Sequence, residues 1–207
     1  MTSAPETMRN HWWWRPGWKI GRRFYTWHFT FEDQPKVRQL VTDYQARLAQ
    51  LQGLDPIPLE WLHLTTQGIG FADEVPDTDV DAVVSAARRR LAEIPPVNLT
   101  VGPAVIDPEV IRLQISPVDA LTGVRRALRA AIADALGPER LPESDEWNPH
   151  VSVAYSNADG PMDSIAAALV PELKPVAVTI RDVQLIVLGR DRRIYEWQNR
   201  AAVPLTG

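Results

Sequence analysis

Two short stretches hold the residue types that proton transfer needs. His63-Leu64-Thr65-Thr66 and, 87 positions later, His150-Val151-Ser152-Val153 each read histidine, any residue, hydroxyl, any residue. On a β-strand alternate residues share a face, so His63 sides with Thr65 and His150 with Ser152. An imidazole, with an unperturbed pKa near about 6.5, either takes or gives a proton at neutral pH. A hydroxyl two positions on stands ready to donate a hydrogen bond beside it. Two such strands side by side would set two histidines across one cleft, one accepting a proton while the other releases one. A third stretch, His28-Phe29-Thr30-Phe31, fits the same pattern, so the surrounding elements must select the pair.

Those elements can be read from periodicity and punctuation. Residues 23–31 form a strand, with Tyr25, Trp27, Phe29 and Phe31 on an apolar face and Thr26, His28 and Thr30 on the other. Asp33 and Pro35 open a helix carrying Val37, Leu40, Val41, Tyr44, Leu48 and Leu51 at helical spacing, and Gly53 ends it. Asp55-Pro56-Ile57-Pro58 is a stiff link into a strand over 59–66, with Gln67-Gly68-Ile69-Gly70 as permissive backbone beyond. A second helix over 77–93 is capped by Asp77 and stops before Pro95-Pro96. Its Arg88-Arg89-Arg90 run reads as a solvated face, with phosphate binding as the rival use. Strands over 97–106 and 109–115 join at Asp107-Pro108, and a third helix runs from Pro117 to Gly137-Pro138. The strand of His150 spans 150–155, Pro161 opens a short helix to Leu169, and strands over 175–188 and 193–204 follow. This is an α+β order, and it looks doubled: each half has a helix ahead of its histidine strand. Glu60-Trp61 before His63 is echoed by Glu146-Trp147 before His150.

Bulk properties bound the rest. A chain of 207 residues that is 45% hydrophobic suits one large domain or two small lobes. The net charge of −4 leaves no global basic field. It is split unevenly, +4 over residues 1–23 and −8 over the remainder, so attraction for phosphate is local. The absence of cysteine excludes disulfides, thiolate metal sites and a cysteine nucleophile. No apolar run reaches transmembrane length and no signal-peptide core is visible, so the expectation is a soluble cytoplasmic protein.

Residues 1–22 stand apart as a Trp/Arg-rich arm, expected to be partly disordered, with disorder through residue 10. Trp12, Trp13, Trp14 and Trp18 fall within seven residues broken by Pro16-Gly17. Three uses are open: an arm whose indoles cover the body, a platform for stacking nucleobases, or a membrane-surface anchor.

The two motifs in this element order resemble the two-histidine (2H) phosphoesterase superfamily, above all its bacterial 2′-5′ RNA ligase and RNA 2′,3′-cyclic phosphodiesterase branch. The likeness covers roughly residues 23–207 as a single bilobal domain. Gly70 matches a glycine that often follows the first motif, and Tyr195-Glu196-Trp197 to Val203-Pro204-Leu205 is similar to the family's last strand. The sequence departs at Tyr155, where the ligase branch often has arginine, at Thr66, where an aliphatic residue is common, and at Ser152, which replaces threonine but keeps the hydroxyl.

The resemblance implies two pseudo-symmetric lobes, with antiparallel sheets lining a central cleft and helices outside. It implies His63 and His150 as acid and base, and Thr65 and Ser152 as phosphate-binding hydroxyls. His28, Trp61 and Tyr155 are candidates for substrate contact. The expected substrates are RNA ends or nucleotide cyclic phosphates, with no cofactor and no metal, and neither a membrane nor a protein partner is evident. The implied reaction opens 2′,3′-cyclic phosphates, with 2′-5′ ligation as its reverse. The rivals are a zinc hydrolase built on His28, His63 and His150, a module that binds RNA ends without turnover, and a 2H phosphodiesterase for other substrates such as ADP-ribose cyclic phosphate or 2′-5′ oligonucleotides.

Overall fold

The computed structural model describes residues 7–141 and 147–207. Their elements are β1 (Thr7–Met8), β2 (Phe24–Thr30), α1 (Pro35–Leu48), β3 (Leu54–Pro56), β4 (His63–Phe71) and α2 (Asp77–Leu91). Then come β5 (Val97–Asp107), β6 (Val110–Ser116), α3 (Val118–Leu136), β7 (His150–Ser156), β8 (Gly160–Pro161), α4 (Asp163–Ala168), β9 (Val176–Ile180), β10 (Asp182–Gly189) and β11 (Glu196–Pro204). Among the described residues these strands make two main antiparallel sheets, ordered β11-β10-β2-β4 and β3-β7-β6-β5-β9. Each sheet ends or nearly ends on a histidine strand, and β4 and β7 approach each other across the middle. The fold is the α+β, two-lobed one expected.

Helices exchange lobes. α1 precedes β4 in the chain but packs on β7 and β9, burying Val37, Leu40, Val41, Tyr44 and Leu48. α3 precedes β7 but packs on β4, α2 and β5, burying Leu121, Val124, Leu128, Ala131 and Ile132. Each sheet is therefore backed by a helix whose chain leads into the other sheet, and sliding one lobe would strip apolar area from both. Burying such a side chain stabilises by roughly 1.5–3 kcal/mol, so this exchange ties the two lobes together.

Several boundaries move. α1 ends at Leu48, and Gly53, at φ +84, turns the chain toward β3. The stretch 59–62 is a 3₁₀ turn (Leu59–Trp61) rather than strand, and Gln67–Gly70 extends β4 to Phe71 rather than leaving it. Asp77 is the first residue of α2, after Pro76, and its carboxylate accepts the Tyr25 hydroxyl at 3.0 Å. Pro161 belongs to β8 and α4 starts at Asp163. The run 175–188 breaks at Arg181: β9 joins one sheet and β10 the other. Both faces of β2 are buried from Tyr25 to Phe29, and on the polar face the rings of His63 and Trp197 lie against His28.

The expected disorder through residue 10 gives way from residue 7 on. β1 pairs with β8, and the Arg9 and His11 amides donate to the carbonyls of Pro108 and Ser156. The earlier residues lie outside the described ones. Beyond His11 the arm crosses to the other lobe, where the buried Arg190 guanidinium sits 5.4–5.9 Å from the rings of Trp12, Trp14, Trp18 and Tyr195. Among the described residues no helix is long and apolar enough to cross a membrane.

Candidate active site

His63 opens β4 and His150 opens β7. The two rings are held the same way. Nδ1 of His63 lies 2.8 Å from the Trp61 carbonyl oxygen, and Nδ1 of His150 lies 2.8 Å from that of Asn148. A carbonyl oxygen only accepts, so Nδ1 carries the proton in each neutral ring and Nε2 keeps its lone pair. The acceptor is two residues upstream in both cases. In the first copy it comes from the 3₁₀ turn, and in the second from the Asn148-Pro149 approach to β7.

Immediately after each hydroxyl the ladder slips by one residue. Thr66 has no partner between the pairs His28↔Thr65 and Trp27↔Gln67, and Val153 has none between Arg112↔Ser152 and Ile111↔Ala154. A bulge of this kind resets the alternation of faces. The exchanged helices reach the carbonyl at each bulge: Arg125 of α3 donates to Thr66 at 3.3 Å, and Gln45 of α1 donates at 2.9 Å to Val153, which also accepts the Ile57 amide at 3.0 Å. The bulge at Val153 turns Tyr155 onto the face of His150 and Ser152, where strict alternation would put it behind. Trp147, just ahead of β7, donates its indole N–H to the Thr65 carbonyl at 2.9 Å and so ties the two strands.

Burial sets the electrostatics. It pushes His63 down to about 4, against the pull of the Trp61 carbonyl and with a further push from His150. It lowers His150 too, opposed by the Asn148 carbonyl, with Arg112 adding and Asp107 opposing. Both rings are thus held toward the neutral form.

The other predicted residues fall as follows. Thr65 is exposed on the cleft surface, while Ser152 is 6% exposed. Trp61 crosses Trp197 edge to face at 4.8 Å and lines the pocket that holds His63. Tyr155 lines that pocket too but is largely covered by His11, stacked on it at 4.0 Å and 12°. Burial first, then neighbouring Tyr195, pushes its phenol far above the usual range.

His28 needs correcting as a substrate-contact candidate, because it has no exposed surface. It stacks under His63 at 4.4 Å and 4°, and its Nε2 lies 3.2 Å from the Thr65 hydroxyl. Burial and then His63 hold its pKa well below the ordinary value. It therefore supports two cleft residues from below. Engaged with Thr65 and face to face with His63, it does not converge with His150 on one point. Among the described residues no group of three His, Asp or Glu side chains is arranged to hold a metal ion.

Two residues beside His63, and a third behind one of them, are absent from the sequence reading of the site. Trp197 stands 5.3 Å from the His63 ring, Tyr195 stands 6.3 Å from it, and His11 binds the Tyr195 hydroxyl through Nε2 at 3.0 Å. The alternation Tyr195-Glu196-Trp197 was a usable signal for the first two. Nothing in the sequence placed His11.

The family model of the 2′-5′ RNA ligase superfamily matches residues 31–192. The chain belongs to that superfamily. Among solved structures it is similar to TT0787 of Thermus thermophilus, with TM-score 0.68 and 18% identity over 89% of this chain and 98% of that one. It is similar to E. coli LigT complexed with 3′-AMP, with TM-score 0.67 and 17% identity over 90% and 99%. It is also similar to LigT complexed with NADP+, with TM-score 0.66 and 16% identity over 90% and 99%. At these identities the likeness is one of fold. No curated protein matches. Membership in the 2′-5′ RNA ligase superfamily makes this an enzyme of the 2H phosphoesterase kind, with a phosphodiesterase-type function. The match begins beyond the tryptophan arm, which is an addition to the matched region.

Proposed function

We propose that this member of the superfamily opens 2′,3′-cyclic phosphates of RNA ends or nucleotides without a metal, using His63 and His150 as a general acid–base pair. One observation carries the reading: two imidazoles, each with Nδ1–H given to a backbone carbonyl two residues upstream, each keeping the Nε2 lone pair. One Nε2 takes a proton from water as its oxygen bonds to phosphorus. The other imidazole, protonated in the presence of the anionic substrate, gives its proton to O3′ as the P–O3′ bond breaks. A 2′-phosphate and a 3′-hydroxyl result. Thr65, and Ser152 more deeply, donate hydrogen bonds to the non-bridging oxygens where charge grows. With a 5′-hydroxyl in place of water, the same ring-opening step makes a 2′-5′ link: O5′ bonds to phosphorus as the P–O3′ bond breaks and O3′ takes the proton. The LigT structures held with 3′-AMP, NADP+ and phosphate agree with a phosphate-ester cleft in this fold.

The test is turnover of a short RNA ending in 2′,3′-cyclic phosphate, in EDTA, by the wild type, His63→Ala and His150→Ala. Opening to the 2′-phosphate by the wild type and its loss in both variants is the expected result. Turnover that survives either substitution would overturn the assignment.

A further inference from the structure

The tryptophan arm touches both lobes and keeps two of its rings open. Trp13 leans on the turn between β5 and β6: its indole N–H donates to Glu109 at 3.1 Å, and Arg15, paired with the same carboxylate, sits 4.8 Å from its ring. Trp14 leans on the loop between β10 and β11, 5.8 Å from the Arg190 guanidinium. The backbone is fixed as well, since Arg190 donates to the Trp13 carbonyl at 3.1 Å and the His11 amide to that of Ser156. Yet Trp13 is 46% exposed and Trp14 50%. With Ile20 they make three of the five large apolar side chains left open among the described residues. Single exposed apolar groups are ordinary, but adjacent, ordered indoles mark a contact surface.

The charge around these rings is positive. The nearby carboxylates Glu109, Asp73, Glu74 and Asp191 are taken up by Arg15, Arg22 and Arg23. Arg9 and Lys19 are exposed, and neither has a carboxylate partner among the described residues. Arg190 is buried beside Trp14 with no carboxylate on it, and its Nη1 has no hydrogen-bond partner. Open flat rings over uncompensated positive charge suit unpaired bases on a phosphate backbone. A lipid surface fits less well, because it takes indoles that project from the body, whereas Trp13 is tied by its N–H to a carboxylate. The surface is also near the reaction centre. Arg190 lies 5.4 Å from the Tyr195 ring, which stands 6.3 Å from that of His63. We propose that Trp13 and Trp14 form a stacking surface for single-stranded RNA, and that this arm, which lies outside the matched family region, gives preference for RNA strands over free nucleotides. That the strand ends in the cleft rests on the function proposed above, whereas the surface rests on the arm alone. Stacking is tolerant of base identity, so the surface selects unpaired bases rather than a sequence.

The experiment measures fluorescence anisotropy of a short single-stranded RNA ending in a 3′-phosphate, with wild type, Trp13→Ala and Trp14→Ala, and thermal melts to confirm folding. The fully paired duplex of the same strand, 3′-AMP and phosphatidylglycerol vesicles are the comparison probes. Each substitution is expected to weaken the single strand about 10-fold and to leave the duplex, whose bases already stack on one another, within about twofold. In the wild type 3′-AMP should bind at least about 10-fold more weakly than the strand. Absent binding of the strand, equal strand affinity in all three proteins, or 3′-AMP bound as tightly as the strand would overturn the proposal. Equal losses on strand and duplex would overturn it too, as the mark of a structural role. Vesicle binding or self-association that is lost in the variants while RNA binding holds would make the surface a lipid contact or a contact between copies instead. If Trp14→Ala fails to fold, Trp13→Ala carries the test, because the bond from Arg190 is to the Trp13 backbone. Turnover does not enter this assay. A protein that grips the strand through the indoles but opens no cyclic phosphate keeps the surface and loses the proposed reaction, and the converse result loses only the surface.

Discussion

The His63 half and the His150 half share their design but differ in surroundings. In both, a histidine at the head of a strand gives Nδ1–H to the carbonyl two residues back, a hydroxyl follows two residues on, and a bulge comes next. Around that common unit, His63 is boxed by rings: His28 beneath it, Trp197 and Tyr195 beside it. His150 instead has charges near it, Arg112 and Asp107, which pair with each other as well. Thr65 is open to the cleft, whereas Ser152 is nearly covered. The lesson is that the imidazole–hydroxyl geometry is built twice from the backbone, which is indifferent to neighbours. The side chains around it make one half a ring-lined wall and the other a charged rim.

The sharpest way to break the comparison is at its shared part. His63→Ala and His150→Ala should each lower kcat for cyclic phosphate opening by about 10²–10⁴-fold. A variant retaining more than a tenth of the activity would mean that the halves are not equivalent partners. The next largest effect falls on the hydroxyls. Thr65→Val should cost about 10–100-fold, the loss of a hydrogen bond to a charged oxygen. Ser152→Ala should cost less, because its hydroxyl is the more covered. A larger loss at Ser152, measured by the same kinetics, would reverse that order.

A smaller effect should separate the two floors. His28→Phe keeps a ring under His63 but removes the partner of Thr65, so a drop of about fivefold in kcat is expected, no more than one neutral hydrogen bond. That drop should vanish when Thr65 is already Val. Additive losses in the double variant would show that His28 acts elsewhere.

The most delicate difference is in titration. His63 in the empty protein should titrate near about 4 by imidazole NMR and move upward when inorganic phosphate binds. Its folded pKa lies below the unfolded value, so the unfolded chain binds the proton first. Its contribution to stability is therefore intact above pH about 6.5 and declines as pH falls from there to about 4. An apo midpoint near 6.5 would remove the desolvation argument.

Much of this was legible in the residues. Polar–apolar alternation marked β2, β6 and β7, and the 3.6-residue spacing of Val37, Leu40, Val41, Tyr44 and Leu48 marked α1. The histidine pair was readable because its spacing within each motif is local, set by strand geometry alone. The start of β4 was misjudged because Pro58 and Leu59 favour extended backbone in isolation, whereas the Trp61 carbonyl is turned back to meet His63. The role of His28 was not readable, since its burial comes from β4 and from Trp197 of β11, both distant in the chain.

The sequence by itself determined the chemistry on offer: two imidazole–hydroxyl pairs, no thiol, and an α+β order with a tryptophan-rich arm. Tertiary structure alone decided four matters. It exchanged α1 and α3 between lobes, split the run 175–188 between two sheets at Arg181, and placed bulges at Thr66 and Val153 that turned Tyr155 to the cleft. It also swung the arm so that Trp12, Trp14 and Trp18 surround Arg190 and Trp12 lines the His63 pocket as well. The reason is range. Side-chain period and turn chemistry act over a few residues, whereas sheet partners, bulge register and arm docking are chosen by which distant surfaces bury the most apolar area with their polar groups paired.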